Sequence, residues 1–525
     1  MKQRFCIAAL LLIFAVAFAE AQPRVVVNIV VSGLSHQDII RYEKNFCKDG
    51  FLRLRNGGVE FSECYADYAP TTSEAGLATL ATGTMPAVHG IISSNIFDRG
   101  VGKFSSLCMK PKTDQTESAN KKVENNFTTH NFTVGTLAES MLLSSAKNKV
   151  ITVAHKSVSA IILAGHSGEC YWLNDNGKWT SADCYMKDLP SWVQKSNSDE
   201  MNRAFASATW SGRYVKSRYL NLHATDILLQ GGSGQRSQKD AADSWVQKML
   251  TSPAGNLAMF DFAKRAVTQI VSHKADGGCT MLTLCLDVPR MVAEKYGVDS
   301  IEYEDMLYSL DASLAEFITF LYAQFPYHKE AAVVLTSDSG IGATERENSD
   351  LKRFNTRQFE IIMNAFLSAR YGQASWVVGY ANGSLYLNHD LVYNNKKNLT
   401  DMQNDAANFA LQYRGVAAVS TATGMRSAQF SRGVLGLVQN GFCPRRSGDV
   451  VITLKPGCIE SDAKRVSMSG SAYAYDRHVP LFVYGAGLEP KREAVHISTN
   501  QIASTLADLM GVKRPLCSDA EVLTL

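Results

Sequence analysis

Residues 24–34 (RVVVNIVVSGL) form a near-continuous apolar run closed by Ser-Gly. A strand with one wet face alternates apolar and polar side chains. An unbroken run has no wet face, so this segment is predicted as a parallel strand buried on both sides. Similar runs recur at 150–154, 280–286, 332–335 and 479–484. Between them the period changes. Within 301–325, Leu307, Leu310, Leu314, Phe317 and Leu321 return every three or four residues, the spacing of a helix with one apolar face. Strands alternating with helices predict an α/β fold: a three-layer α/β/α sandwich around a largely parallel central sheet. In such sheets chemistry gathers at the carboxyl ends of the strands.

Two stretches read as additions to that core, one at about 160–255, loop-rich with Gly231-Gly232-Ser233-Gly234, and one at about 345–460, with short strands around a helix at 400–412. No internal repeat or low-complexity linker is visible. Residues 1–21 have a basic start (Lys2, Arg4), an apolar run and Ala19-Glu20-Ala21, and are predicted to be a secretory signal peptide. No later run approaches the roughly 20 apolar residues of a membrane span. The formal charge of +3 with 46% hydrophobic residues gives a sizeable core and no case for nucleic acid.

Export changes the reading of the eleven cysteines. Cys6 leaves with the signal, and the remaining even number predicts disulfides. Cys170 and Cys184 flank a hairpin-like YWLNDNGKW, and Cys443 and Cys458 flank another pair of short strands, so these are the expected bonds. Cys279 and Cys285 lie along one strand, about 20 Å apart at its rise, and cannot join.

Candidate chemistry lies in residues 70–98, where Thr71, Thr72 and Ser73 precede an Ala/Leu helical segment and His89-Gly90-Ile91-Ile92. A hydroxyl at a helix N-terminus sits among free N–H groups at the positive end of the dipole, an environment suited to a phosphoryl-carrying nucleophile. Thr71 with Glu74 as a capping box is the plainer alternative, with Ser73 merely in the first turn.

This stretch, with Gly83-Thr84-Met85-Pro86 leading into His89-Gly90-Ile91, resembles the alkaline phosphatase and nucleotide pyrophosphatase superfamily, most nearly its PafA-type phosphate monoesterases. The resemblance runs almost the length of the mature chain, 22–525, and implies that the two additions are a cap and a small α/β subdomain. It places Ser73 at the nucleophile position. It also implies two zinc ions, about 4 Å apart, held by Asp and His at strand ends. The six ligand positions here are Ser32, Arg290, Glu294, Asp338, Ser339 and His478. Only Asp338 and His478 keep the ligand type. Asp287 is three residues out of step and no simple substitute. Two further family positions fall on Ser94, with Asn95 one residue late, and on Lys156, whose Arg neighbour is replaced by Val158.

Neutral hydroxyls are poor zinc ligands and a guanidinium repels a dication, so no cofactor is expected. Three functions follow from the resemblance. The first is a non-catalytic, periplasmic or secreted member that binds or assembles with an unidentified protein of a bacterial envelope. The second is an active phosphomonoesterase or phosphodiesterase with Ser73 as nucleophile. The third is a module holding phosphate or another anion at Ser73, Lys156 and Arg290. Plainer roles stand beside these: Asp338 as a strand-end cap or partner of Arg290, His478 as a hydrogen-bonded core histidine, and Lys156 as a solvated lysine. A relocated metal site would draw on His155, His166 or His273. Charge carries a further expectation: Arg290 borders the volume assigned to zinc and pairs with Glu294, Asp338 or both.

Overall fold

The computed structural model describes residues 22–110, 126–221, 244–272, 277–342, 352–460 and 465–525. The predicted signal peptide, Gly231–Gly234 and His273 lie outside them.

The 24–34 run forms β1 (Val25–Val31), every residue of it buried. With β2 (Val59–Phe61), β3 (Lys149–Ala154), β4 (Glu169–Leu173), β5 (Trp179–Thr180), β6 (Thr280–Leu286), β7 (Ala331–Thr336), β8 (Phe482–Gly485) and β9 (Lys491–Glu493) it builds one nine-stranded sheet. The strand order is β9-β2-β8-β7-β1-β6-β3-β4-β5. From β7 across to β4 the pairings are parallel.

The period-two geometry of β1 sorts its side chains to two cores. Val25, Val27, Ile29 and Val31 join a cluster that includes Phe262, Leu310, Leu314 and Phe317, from helices Pro253–Ser272 and Ile301–Gln324. Val26 and Val30 join another cluster with Leu77, Ala78, Ile161 and Ile162, from helices α1 (Ser73–Thr82) and α2 (Ser157–Ala164). Helices therefore cover both faces, and the fold is a three-layer α/β/α sandwich.

Two readings of the pattern need correction. The 479–484 run yields β8, which pairs antiparallel to β7 and to β2. The chain reaches that side of the sheet from the site end, where residues 468–476 bond to the loop after β7, so the strand must run the opposite way. Within 345–460, the single helix foreseen at 400–412 forms as Leu399–Ala410. It is joined by Thr356–Tyr371 and several short helices around a four-stranded sheet (Val377–Ala381, Ser384–Leu387, Val450–Leu454, Val416–Thr421) with its own apolar cluster.

The hairpin between Cys170 and Cys184 forms, with Leu173 opposite Trp179. The expected disulfides do not, because all ten described cysteines are free thiols. Cys170 is sealed in the cluster that also holds Cys108 and Cys285, whereas Cys184 is exposed. Cys443 stands against Gly90, while Cys458 stands against Gly415. No helix among the described residues is long and apolar enough to cross a membrane.

Candidate functional site

The carboxyl ends of β1, β6 and β7 deliver the site. Ser32 and Gly33 follow β1, and Ser337-Asp338-Ser339 follows β7. After β6, Asp287 leads into α3 (Val288–Tyr296), whose first turn carries Arg290. Two glycines permit the approach. A Cβ on Gly33 would lie 3.1 Å from the Arg290 Cα, and one on Gly76 would lie 2.0 Å from the Asp338 carbonyl oxygen. The second contact packs α1 directly against the loop after β7. Thr72 caps α1, accepting from the Ala75 N–H, which corrects the Thr71 capping reading. Thr71 instead donates to the Ser471 carbonyl.

Asp338 is the hub. Its Oδ1 accepts from the N–H groups of Gly33 (3.1 Å) and Ser339 (2.8 Å) and from Arg290 Nη2 (3.1 Å). Its Oδ2 accepts from Ser32 Oγ (2.7 Å) and from Ser73 Oγ. Arg290 spends its whole fork here. Nε donates to Ser32 Oγ (2.7 Å), Nη1 to Ser469 Oγ (2.6 Å), and Nη2 also to Ser339 Oγ (2.7 Å). The side chains of the pair are 4% and 0% exposed. Burial opposes the guanidinium charge, but Asp338, then Glu294, overrides it and raises the Arg290 pKa above its ordinary range.

The structure thus brings together Ser32, Ser73, Arg290, Asp338 and Ser339. It does not bring in the other candidates. Glu294 faces Arg465 at 3.7 Å, so the expected pairing of Arg290 holds for Asp338 alone. His478 is turned into a column of rings, stacked on His36 (4.6 Å) and Tyr65 (4.5 Å), with Nε2 on the Ser62 carbonyl at 2.8 Å. Its burial lowers its pKa. Lys156 gives only its backbone N–H, to Asp287 Oδ2 (3.0 Å). Ser94 gives its carbonyl to the Leu107 N–H.

The spare histidines are also committed. His155 accepts the Asp287 N–H at Nδ1 and reaches the Gly255 carbonyl through Nε2, and burial lowers its pKa. His166 is paired with Glu139 at 2.7 Å. Sequence reasoning missed two members of the neighbourhood, Ser469 and Asp476. The serine-rich Ser467-Met468-Ser469-Gly470-Ser471 preceding Asp476 was the available signal. Burial pushes the Asp476 carboxyl up to about 7.

Residues 26–467 match the family model for type I phosphodiesterase / nucleotide pyrophosphatase. The chain belongs to that family. The match takes in Ser32, Ser73, Arg290 and Asp338 and stops two residues before Ser469. Alkaline phosphatase PafA of Elizabethkingia meningoseptica is 24% identical, over 95% of this chain and 93% of that protein. Alkaline phosphatase PhoV of Synechococcus elongatus is 25% identical, over 96% and 93%. A protein of Myroides odoratus named calcium-transporting ATPase is 26% identical, over 96% and 94%. Among solved structures, wild-type PafA superposes with a TM-score of 0.86 at 23% identity, covering 96% of this chain and 98% of that one. Murine ectonucleotide pyrophosphatase / phosphodiesterase 5 gives 0.52 at 12% identity, covering 94% and 97%. These likenesses place the chain among the alkaline phosphatase folds.

Proposed function

We infer that this chain is a non-catalytic, exported member of the alkaline phosphatase superfamily that uses the fold to bind or assemble with a partner in the cell envelope. One observation carries the reading: the Arg290 guanidinium is bonded into the strand-end cluster through Ser32, Asp338, Ser339 and Ser469. The donor chemistry does not fit the two zinc ions that the superfamily resemblance implies. Zinc needs several Asp, His or Cys ligands around each ion. Here one carboxylate, already accepting from five N–H and O–H groups, stands among serine hydroxyls and a permanent cation. Among the described residues no three His, Cys, Asp or Glu side chains gather as a metal set.

Metal content and stability test this. The protein purified from zinc-supplemented cells should carry far less than one zinc per chain, and a chelator should leave its Tm unchanged. Stoichiometric zinc, or a Tm that falls with chelator, would overturn the reading, because tightly held metals contribute heavily to folding.

A phosphate-ester hydrolase remains the second reading, favoured by the Ser73 hydroxyl donating to the Asp338 carboxylate, a potential proton acceptor. The relatives named as alkaline phosphatases support it at the level of family. On the non-catalytic reading, Ser73→Ala leaves any trace hydrolysis of aryl phosphates unchanged. Loss of a turnover above buffer on that substitution would establish Ser73 as a nucleophile.

A further inference from the structure

A separate space lies beside the serine network. Val438, Ile452, Leu454, Ile459 and Met468 wall a cavity of about 80 Å³ between the serine-rich loop and the small sheet. One water needs roughly 10–15 Å³ on the same measure, so the space admits a small organic group.

Two acids reach this cavity, Glu460 and Asp476. Glu460 Oε1 is occupied, accepting the Tyr380 hydroxyl and the Gly383 N–H, both at 2.8 Å. Asp476 is different. It is 1% exposed, and its Oδ2 accepts the N–H groups of Gly470 (3.1 Å) and Ser471 (2.7 Å). Its Oδ1 has no hydrogen-bond partner. A buried carboxylate oxygen without a donor is expensive, and native structures leave few such atoms unexplained. No Lys, Arg or His is among the described residues lining the cavity, and Arg290 acts on Asp476 from beyond that lining. The Ser469 hydroxyl is taken by Arg290. The remaining walls are uncharged and mix aliphatic side chains with Thr72, Asn382, Thr453, Ser471 and Tyr475.

We propose that this cavity binds a small primary ammonium carried on a short apolar body, with an ammonium N–H donating to Asp476 Oδ1 and the methylenes lying against Val438, Ile452 and Leu454. The site does not depend on whether Ser73 turns over phosphate esters, and its failure would leave the metal argument standing.

The probe is n-butylammonium chloride, titrated into the full chain by calorimetry beside the neutral n-butanol. Butylammonium should bind saturably and about tenfold more tightly than butanol, the difference between a charged and a neutral hydrogen bond. Asp476→Asn should remove that preference while leaving butanol binding unchanged. Should Asp476→Asn fail to fold, Ala472→Leu fills the space with both acids intact and should abolish binding of either probe. Equal affinity for the two probes, binding indifferent to both variants, or no saturable binding, as for a cavity that holds water only, would each overturn the proposal.

Discussion

Deleting the Arg290 fork would leave the buried Asp338 carboxylate without the cation it pairs with among the described residues. Breaking a buried pair from one side typically costs about 3–5 kcal/mol, so Arg290→Ala should lose that much in urea unfolding. Arg290→Met with Asp338→Asn should recover much of it, because no unpaired charge remains. Another residue gives a pH signature. His89 is fully buried, with Nε2 on Thr79 Oγ1 and Nδ1 accepting the Ile91 N–H, and burial lowers its pKa to about 3. Unfolding frees it to protonate at the ordinary value near 6.5. Between those values the unfolded chain holds more protons than the folded one, so this contribution is complete above pH 6.5 and shrinks as pH falls towards 3. The loss is about 1.4 kcal/mol per pH unit. Unfolding curves from pH 7 to 4.5 should show it, and His89→Gln should flatten the slope. The Arg290–Asp338 contact was legible from sequence because register put both residues after strand ends, those of β6 and β7, which flank β1. The fate of His478 was not. Its ring direction is fixed by His36 and Tyr65, which no motif connects to it.

At the scale of elements, α1 and the end of β7 behave as one unit because Gly76 lets backbone touch backbone. Gly76→Ala must push them apart. We expect about 1–3 kcal/mol of destabilisation, the usual cost of overpacking, together with loss of the Ser73–Asp338 contact. Thr72→Ala removes the cap and the hydroxyl's bond to the Ile92 carbonyl and should cost about 1–2 kcal/mol, with the contact retained. Thermal melts combined with a structure of each variant would separate the two. The main strands were readable because a strand buried on both faces needs an unbroken apolar run. The direction of β8 depended on where the chain came from, which a hydrophobic pattern does not encode. Cysteine pairing is not shown: Cys170 and Cys184 are free thiols in the structure, although Cys184 lies near enough to Cys170 to help raise its pKa.

For the molecule as a whole, the order of strands matters more than their number. β1, near the amino end, lies between β6 and β7, so Val25 is paired with Thr280 on one side and Ala331 on the other. Every residue of it is buried, including its two rows facing opposite cores. A ribosome that has released β1 must make most of the chain before either neighbour exists. Until then this segment is an unpaired, uncharged β-former, the kind of sequence that seeks strands in other chains. Pairings this distant also make folding slow. Refolding from denaturant should therefore be slower and more concentration-sensitive than size alone suggests. Truncated chains ending before residue 280 should leave β1 open to protease, while the complete protein shields it. The centre of the sheet cannot close until residue 336 has been made, and the side holding β8 and β9 closes later still.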